Sequence, residues 1–165
     1  MTKFRAAVAV LAFSAAGAVG LALDEYYTSE AIIPVPGDVP TLGFGSTKGV
    51  RMGDTTTPPK ALRRFISEIK TDYEGPLKKC LTGQLSQSEY DTLVKESYNA
   101  GAGAICREIA PKFNAAKTEE DYAAACDSFI GWRETVKGKS CRVRANDCYG
   151  LVVRRKAASE SCKKS

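Results

Sequence analysis

No histidine occurs anywhere in the 165 residues of this chain, and that absence narrows the chemistry open to it. Mechanisms of the Ser-His-Asp or Cys-His kind have no imidazole to act as base, so catalysis must rest on carboxylates. Two of them are placed suggestively. Glu25 follows a long uncharged stretch, and Asp38 comes 13 residues later, in a Pro/Gly-rich run just before Thr41. Glycoside hydrolysis needs a carboxylic acid to protonate the departing oxygen and a second polar group to place a water or stabilise positive charge. An inverting enzyme holds its carboxyl groups roughly 6.5 to 9.5 Å apart to admit that water. A helix end facing a hairpin can supply such a gap.

Metal chemistry is not expected. The six cysteines, Cys80, Cys106, Cys126, Cys141, Cys148 and Cys162, have no histidine to share a site with, and even the nearest pair is too widely spaced for a zinc knuckle. No metal and no cofactor are predicted. An even number of cysteines behind an export signal reads instead as disulfides formed in an oxidising compartment. The formal net charge of +5 comes from 24 basic and 19 acidic residues intermingled along the chain, without the basic run that tracks a nucleic-acid backbone. Nucleic acid is therefore not an expected partner.

The elements that must position Glu25 begin with the uncharged stretch itself. Lys3 and Arg5 precede Ala6 to Leu23, AAVAVLAFSAAGAVGLAL, which as a helix is just long enough to cross a bilayer. Ala and Gly make up more than half of it, so its transfer into lipid is weakly favoured. Two readings remain open: a signal peptide cleaved near Gly20-Leu21-Ala22, or a signal-anchor that starts in the membrane and later leaves it. Either way the basic N-terminus places residues 24–165 outside the inner membrane. The expected division is an anchor over 1–23 and a catalytic domain over 24–165.

Residues 24–57 are rich in Pro, Gly, Thr and β-branched residues and read as short strands joined by tight turns. Helical periodicity follows. Thr57-Pro58-Pro59 opens a helix running towards Tyr73, and Ser86 with Glu89 forms a capping box for another through Tyr98. Further helices are expected over about 104–116, with Pro111 as a kink or end, from Thr118 to about Trp132, and from about Gly150 to Cys162. The sum is an α+β fold, a small β-hairpin lobe beside a larger helical lobe.

The run Pro40-Thr41-Leu42-Gly43-Phe44-Gly45-Ser46-Thr47 resembles the hairpin of phage-type lysozymes, glycoside hydrolase family 24, and in particular of the signal-arrest-release endolysins of lambdoid phages. Gly53-Asp54, Glu89-Tyr90-Asp91, Tyr98-Asn99-Ala100-Gly101, Phe129-Ile130-Gly131-Trp132 and Gly150-Leu151-Val152-Val153-Arg154-Arg155 follow in the family's order. The resemblance implies a lysozyme-like fold and cleavage between N-acetylmuramic acid and N-acetylglucosamine in peptidoglycan. Glu25 would be the general acid, and Thr41 would hold the water or a substrate hydroxyl. The family's middle residue, an Asp or Cys, has no counterpart at its usual spacing, where Pro34 or Val35 stands. Asp38, the only carboxylate between Glu30 and Thr41, is assigned that role, with Glu30 as a fallback acid. Gly43, Phe44 and Gly45 would border the sugar, glycine allowing close approach of the backbone. Arg154 or Arg155 would orient the acid. Phe44, Tyr98, Phe129 and Trp132 are expected as core before sugar platforms.

By the same resemblance, Cys80 pairs with Cys106 and Cys126 with Cys162, which leaves Cys141 and Cys148 to staple an insertion, CRVRANDC. A monomer is expected, tethered transiently to the host inner membrane through residues 6–23 and acting in the periplasm. The competing reading is a secreted, non-catalytic peptidoglycan-binding or inhibitor module.

Overall fold

The structure, a computed structural model, describes residues 3–164. Its first feature concerns the apolar segment, which is not one continuous helix. Ala6–Ala7 form a short strand, β1, antiparallel to β4 (Gln84–Leu85), and after a single 3-10 turn the first helix, α1, spans Ala15–Asp24. Ser14 divides the segment. Its Oγ accepts from Gly17 N–H at 2.9 Å to cap α1, while its own N–H donates to Asp91 at 2.9 Å. A segment with so few large aliphatic residues gains most in water by burying the ones it has, and Val8, Leu11 and Leu21 all lie in the main core. Among the described residues no helix is long and apolar enough to cross a membrane.

Arg5 fastens the start of this segment. Its guanidinium donates to Glu89 at 2.8 Å and to Glu119 at 2.5 Å, and stacks 3.6 Å above the Tyr122 ring. Glu89 is itself almost wholly buried and closes the capping box of α4 (Gln87–Ala100) by accepting from Ser86 N–H at 2.8 Å.

The small lobe is built on the hairpin of β2 (Thr28–Ile32) and β3 (Thr41–Gly43), with Thr28 opposite Gly43 and Ile32 opposite Thr41. Ala31, Leu42 and Val50 form its own apolar cluster. From there α2 (Pro58–Glu68) passes through a π-helical stretch, Ile69–Glu74, into α3 (Gly75–Cys80), so one long irregular rod joins the two lobes. The helical lobe is arranged around α4 (Gln87–Ala100), which packs against α1, α5 (Ala102–Glu108), the π-helical stretch and α8 (Tyr149–Cys162). α6 (Ala110–Ala115), α7 (Glu119–Asp127) and a hairpin of β5 (Thr135–Val136) and β6 (Lys139–Ser140) complete it. The fold is α+β, as the sequence predicts.

Element ends depart from the sequence reading for local reasons. The helix expected over 104–116 is two, parted at Ile109, and Pro111 sits in the first turn of α6 where its missing N–H costs nothing. The helix expected to reach Trp132 stops at Asp127, where shorter turn bonds take over, Phe129 N–H to Cys126 O at 3.3 Å and Ile130 N–H to Asp127 O at 3.0 Å, before Gly131 turns left-handed at φ 83°. Three disulfides join Cys80 to Cys106, Cys126 to Cys162 and Cys141 to Cys148, the pairings the resemblance implies, with Cα separations of 5.6, 5.6 and 4.9 Å.

Candidate active site

Glu25 terminates α1. Its N–H donates to Leu21 O at 3.2 Å, and the next residue, Tyr26, turns the chain out of the helix at φ 47°. Such a conformation costs a residue with a Cβ roughly 1 to 2 kcal/mol, so the reversal is built in against a local penalty. The side chain of Glu25 thereby leaves a helix end and meets the turn that follows β3. A Cβ placed on Gly45 would lie 3.0 Å from Glu25 Oε2 and 3.1 Å from the Tyr98 hydroxyl. A Cβ there would force the carboxyl or the hydroxyl to give way by a few tenths of an ångström.

That turn is rigidly held. Leu42 and Ser46 exchange backbone hydrogen bonds of 2.9 and 3.1 Å, Gly45 adopts φ 85°, and Ser46 Oγ donates to Glu68 on α2 at 2.6 Å. Phe44 packs between Tyr27 and Phe65, with ring centroids 5.4 and 5.7 Å away, and its carbonyl accepts from Tyr98 OH at 2.6 Å. The two glycines of the motif do different things. A Cβ on Gly43 would come 2.9 Å from the Cβ of Ala61, so this glycine lets the hairpin lie close against α2, whereas Gly45 leaves room for the acid.

Burial is the largest influence on Glu25 and pushes its carboxyl above the ordinary carboxylate range. Arg154 on α8 acts against this, Asp24 adds to it, and Lys95 on α4 again opposes it. Lys95 is also paired with Asp24 at 2.6 Å, which spends part of its charge on a neighbour. Arg154 is held by the side-chain oxygen of Asn99. Burial thus raises the pKa of the Glu25 carboxyl more than the charge of Arg154 lowers it. A cavity of about 410 Å3 lies between the end of α1, α4 and α8, lined by Asp24, Tyr26, Lys95, Glu96, Val153 and Arg154 among others, and neither Glu25 nor the hairpin is part of its lining.

The other sequence-predicted residues fall in three groups. Thr41 and Asp38 are joined through the backbone of one residue, Val39: Thr41 Oγ1 donates to Val39 O at 3.2 Å, and Asp38 Oδ1 accepts from Val39 N–H at 2.9 Å. Asp38 is exposed, in a turn closed by its own N–H to Val35 O at 3.0 Å, and its charge is not among those acting on Glu25. Glu30 lies exposed on β2, bridged to Thr55. The two arginines separate cleanly. Arg154 faces Asn99 and Glu25, while Arg155 is buried in an ion pair with Glu96 and stacks on Trp132, 4.6 Å from the ring centre. Phe129 is buried in the core, and Trp132 packs on it while donating to Glu108 at 2.7 Å.

Sequence reasoning undervalues Tyr98 and Asn99. Both stand in the Tyr98-Asn99-Ala100-Gly101 run at the end of α4, and it is their polar atoms, rather than the tyrosine ring alone, that touch the site. Lys95 offers the readable signal, since it lies one helical turn before Asn99, whose side-chain N–H donates to Lys95 O at 3.0 Å.

Comparison with known proteins gives a consistent picture. The family model described as phage lysozyme matches residues 20–158. The chain is 28% identical over 155 residues to the SAR-endolysin of Pseudomonas phage phiKMV, covering 93% of this chain and 88% of that protein. It is 29% identical over 119 residues to an endolysin of Acyrthosiphon pisum secondary endosymbiont phage 1, covering 71% of this chain and 75% of that one. Among solved structures, an endolysin from Escherichia coli O157:H7 phage FAHEc1 superposes with a TM-score of 0.74 at 25% identity, covering 96% of this chain and 95% of the other.

Proposed function

The chain belongs to the phage lysozyme family, and on that premise we propose that it is an endolysin whose Glu25 acts as general acid in hydrolysing the bond between N-acetylmuramic acid and N-acetylglucosamine. One observation carries this reading: a half-buried carboxyl, raised in pKa by burial, is wedged against the glycine turn that follows Thr41. Glu25 gives its proton to the departing oxygen, and Arg154 stabilises the carboxylate that remains. Thr41, whose hydroxyl donates to Val39 O and keeps lone pairs to accept with, holds the water or a substrate hydroxyl. Asp38 takes the second carboxylate role from the far side of Val39. Phe44 and Gly45 border the sugar, and Gly43 fixes the hairpin that carries them.

Residues 6–23 would begin in the host inner membrane, with the rest of the chain in the periplasm. While they remain in lipid, Glu25 is held at the membrane surface and cannot reach Gly45. When the segment leaves, α1 forms, Leu21 enters the core, and the acid docks. Two observations support release over cleavage: Val8, Leu11 and Leu21 are core residues that a cut near Ala22 would remove, and Arg5 is the counter-charge of a buried carboxylate. No cysteine lies within 6–23, so the trigger is not a thiol exchange involving this segment. The enzyme works as a monomer on peptidoglycan and requires no nucleic acid.

One feature favours a second reading, a non-catalytic peptidoglycan-binding or inhibitor module: Asp38 is exposed and Pro34 and Val35 occupy the family's usual carboxylate position. Incubating purified peptidoglycan with the protein and examining the released fragments separates the possibilities. Reducing muramic acid ends support hydrolysis, anhydro ends a lytic transglycosylase, and binding without release the module.

A further inference from the structure

The hydroxyl of Tyr98 does work that ring packing alone does not require. Its ring is already locked, edge-on to Phe65 at 5.5 Å and against Tyr73 at 4.9 Å, so the position would be filled equally well by phenylalanine. The single O–H proton is spent on Phe44 O at 2.6 Å. An oxygen whose proton is committed can only accept from other groups. That oxygen and Glu25 Oε2 converge on the same empty point, the missing Cβ of Gly45, at 3.1 and 3.0 Å.

We infer that Tyr98 is a positioning residue for the acid: its hydroxyl pins the Phe44–Gly45 turn against Glu25 and turns only acceptor lone pairs towards that carboxyl, which favours the proton-bearing form. A carboxylic acid can donate to such an oxygen, whereas a carboxylate meets it lone pair to lone pair. The phenol itself stays neutral, because burial, then Glu25, and then Tyr73 and Glu68 push its ionisation far above physiological pH against a smaller opposing effect of Arg64. Among the described residues the charges acting on Glu25 are Arg154 from α8, Asp24 from α1 and Lys95 from α4. Tyr73, from the π-helical stretch, is likewise pushed up by burial and by Glu68, Asp72 and Glu25, and contributes no charge.

This inference rests on Glu25 being the acid, and its test keeps the two apart. The pH profile of kcat/KM on solubilised peptidoglycan is measured for the wild type, Tyr98→Phe, Tyr98→Leu and Glu25→Gln, with a thermal melt of each and a 13C-carboxyl titration of Glu25 in the wild type and Tyr98→Phe. Tyr98→Phe keeps the ring and should melt close to wild type. Its alkaline limb, and the carboxyl titration of Glu25, should move down by about one pH unit, a loss of about ten-fold at pH values above the limb with little loss below it. Tyr98→Leu removes ring and hydroxyl together and should lose both activity and melting temperature at all pH values. An unshifted limb and titration in a folded Tyr98→Phe protein overturn the role of Tyr98. If instead Tyr98→Phe fails to fold, the hydroxyl is a structural requirement and the positioning role is likewise overturned. Wild-type activity in Glu25→Gln would overturn the assignment of the acid itself.

Discussion

The carboxyl of Glu25 and the backbone of Gly45 face one another closely, with Oε2 3.0 Å from the point a Cβ would occupy. Gly45→Ala should therefore displace the acid as well as strain the turn at φ 85°. A loss of ten-fold or more in lysis is expected, with about 1 to 2 kcal/mol lost in stability from the backbone alone. Gly43→Ala makes a useful contrast. Its Cβ would strike Ala61 on α2 at 2.9 Å, away from the acid, so overpacking should lower stability by about 2 to 3 kcal/mol while the protein that remains folded keeps more of its activity. Turbidity assays paired with thermal melts distinguish the two.

Glu25 also links activity to stability with a definite sign. Its pKa is raised in the folded protein by burial, so folding takes up protons between the unfolded and folded values, and stability falls as pH rises through that window. Below the ordinary glutamate pKa the group carries no penalty; above the folded value the penalty is complete. Glu25→Gln should consequently abolish lysis and yet raise the melting temperature at neutral pH, with the difference vanishing in acid. Melts recorded across this pH range check it.

Removing Arg5 should be costly once the N-terminal segment has docked, because Glu89, only 1% exposed, would be left without its counter-charge. About 3 kcal/mol is expected for Arg5→Ala, the range seen when one member of a buried pair is deleted. Arg5→Lys, which keeps the charge but cannot span Glu89 and Glu119 with a planar fork, should fall between. Denaturant titration of the soluble protein measures both.

The two glycines of α1 test membrane release separately. A Cβ at Gly20 would meet nothing within 4 Å in the folded protein, whereas one at Gly17 would collide with Phe13 and crowd Asp91. Gly20→Leu therefore raises affinity for lipid without disturbing the docked state, and should hold the protein in the membrane fraction and delay lysis. The same variant refolded without membranes should be fully active. Gly17→Leu combines both effects and should lose activity in either setting.

Much of this arrangement is legible in the sequence, and the gaps have physical causes. The Thr41–Gly45 hairpin and the Ser86–Glu89 capping box can be read because turn geometry and helix starts are set by residues close in sequence. Arg154 and Arg155 cannot be told apart, since neighbours on a helix point about 100° apart and only the crossing of α8 over α4 decides which one faces Glu25. The different tasks of Gly43 and Gly45 depend on Ala61 and on Glu25, which belong to other elements. Residues 6–23 have a composition that suits lipid as one helix and water as a strand, a turn and a shorter helix, so the sequence alone reads as the first and the folded chain displays the second. Asp38 illustrates a different limit. Its position in a Pro/Gly turn is readable, but its exposure is fixed by how that turn leaves the hairpin.

The most direct test is the rate at which Glu25→Gln, confirmed as folded by its melt, releases soluble fragments from dye-labelled sacculi at a pH where the wild type is fully active. The role of Glu25 as proton donor predicts a fall of at least a thousand-fold, on the order of 4 kcal/mol of transition-state stabilisation. Release within a few-fold of the wild type would contradict it.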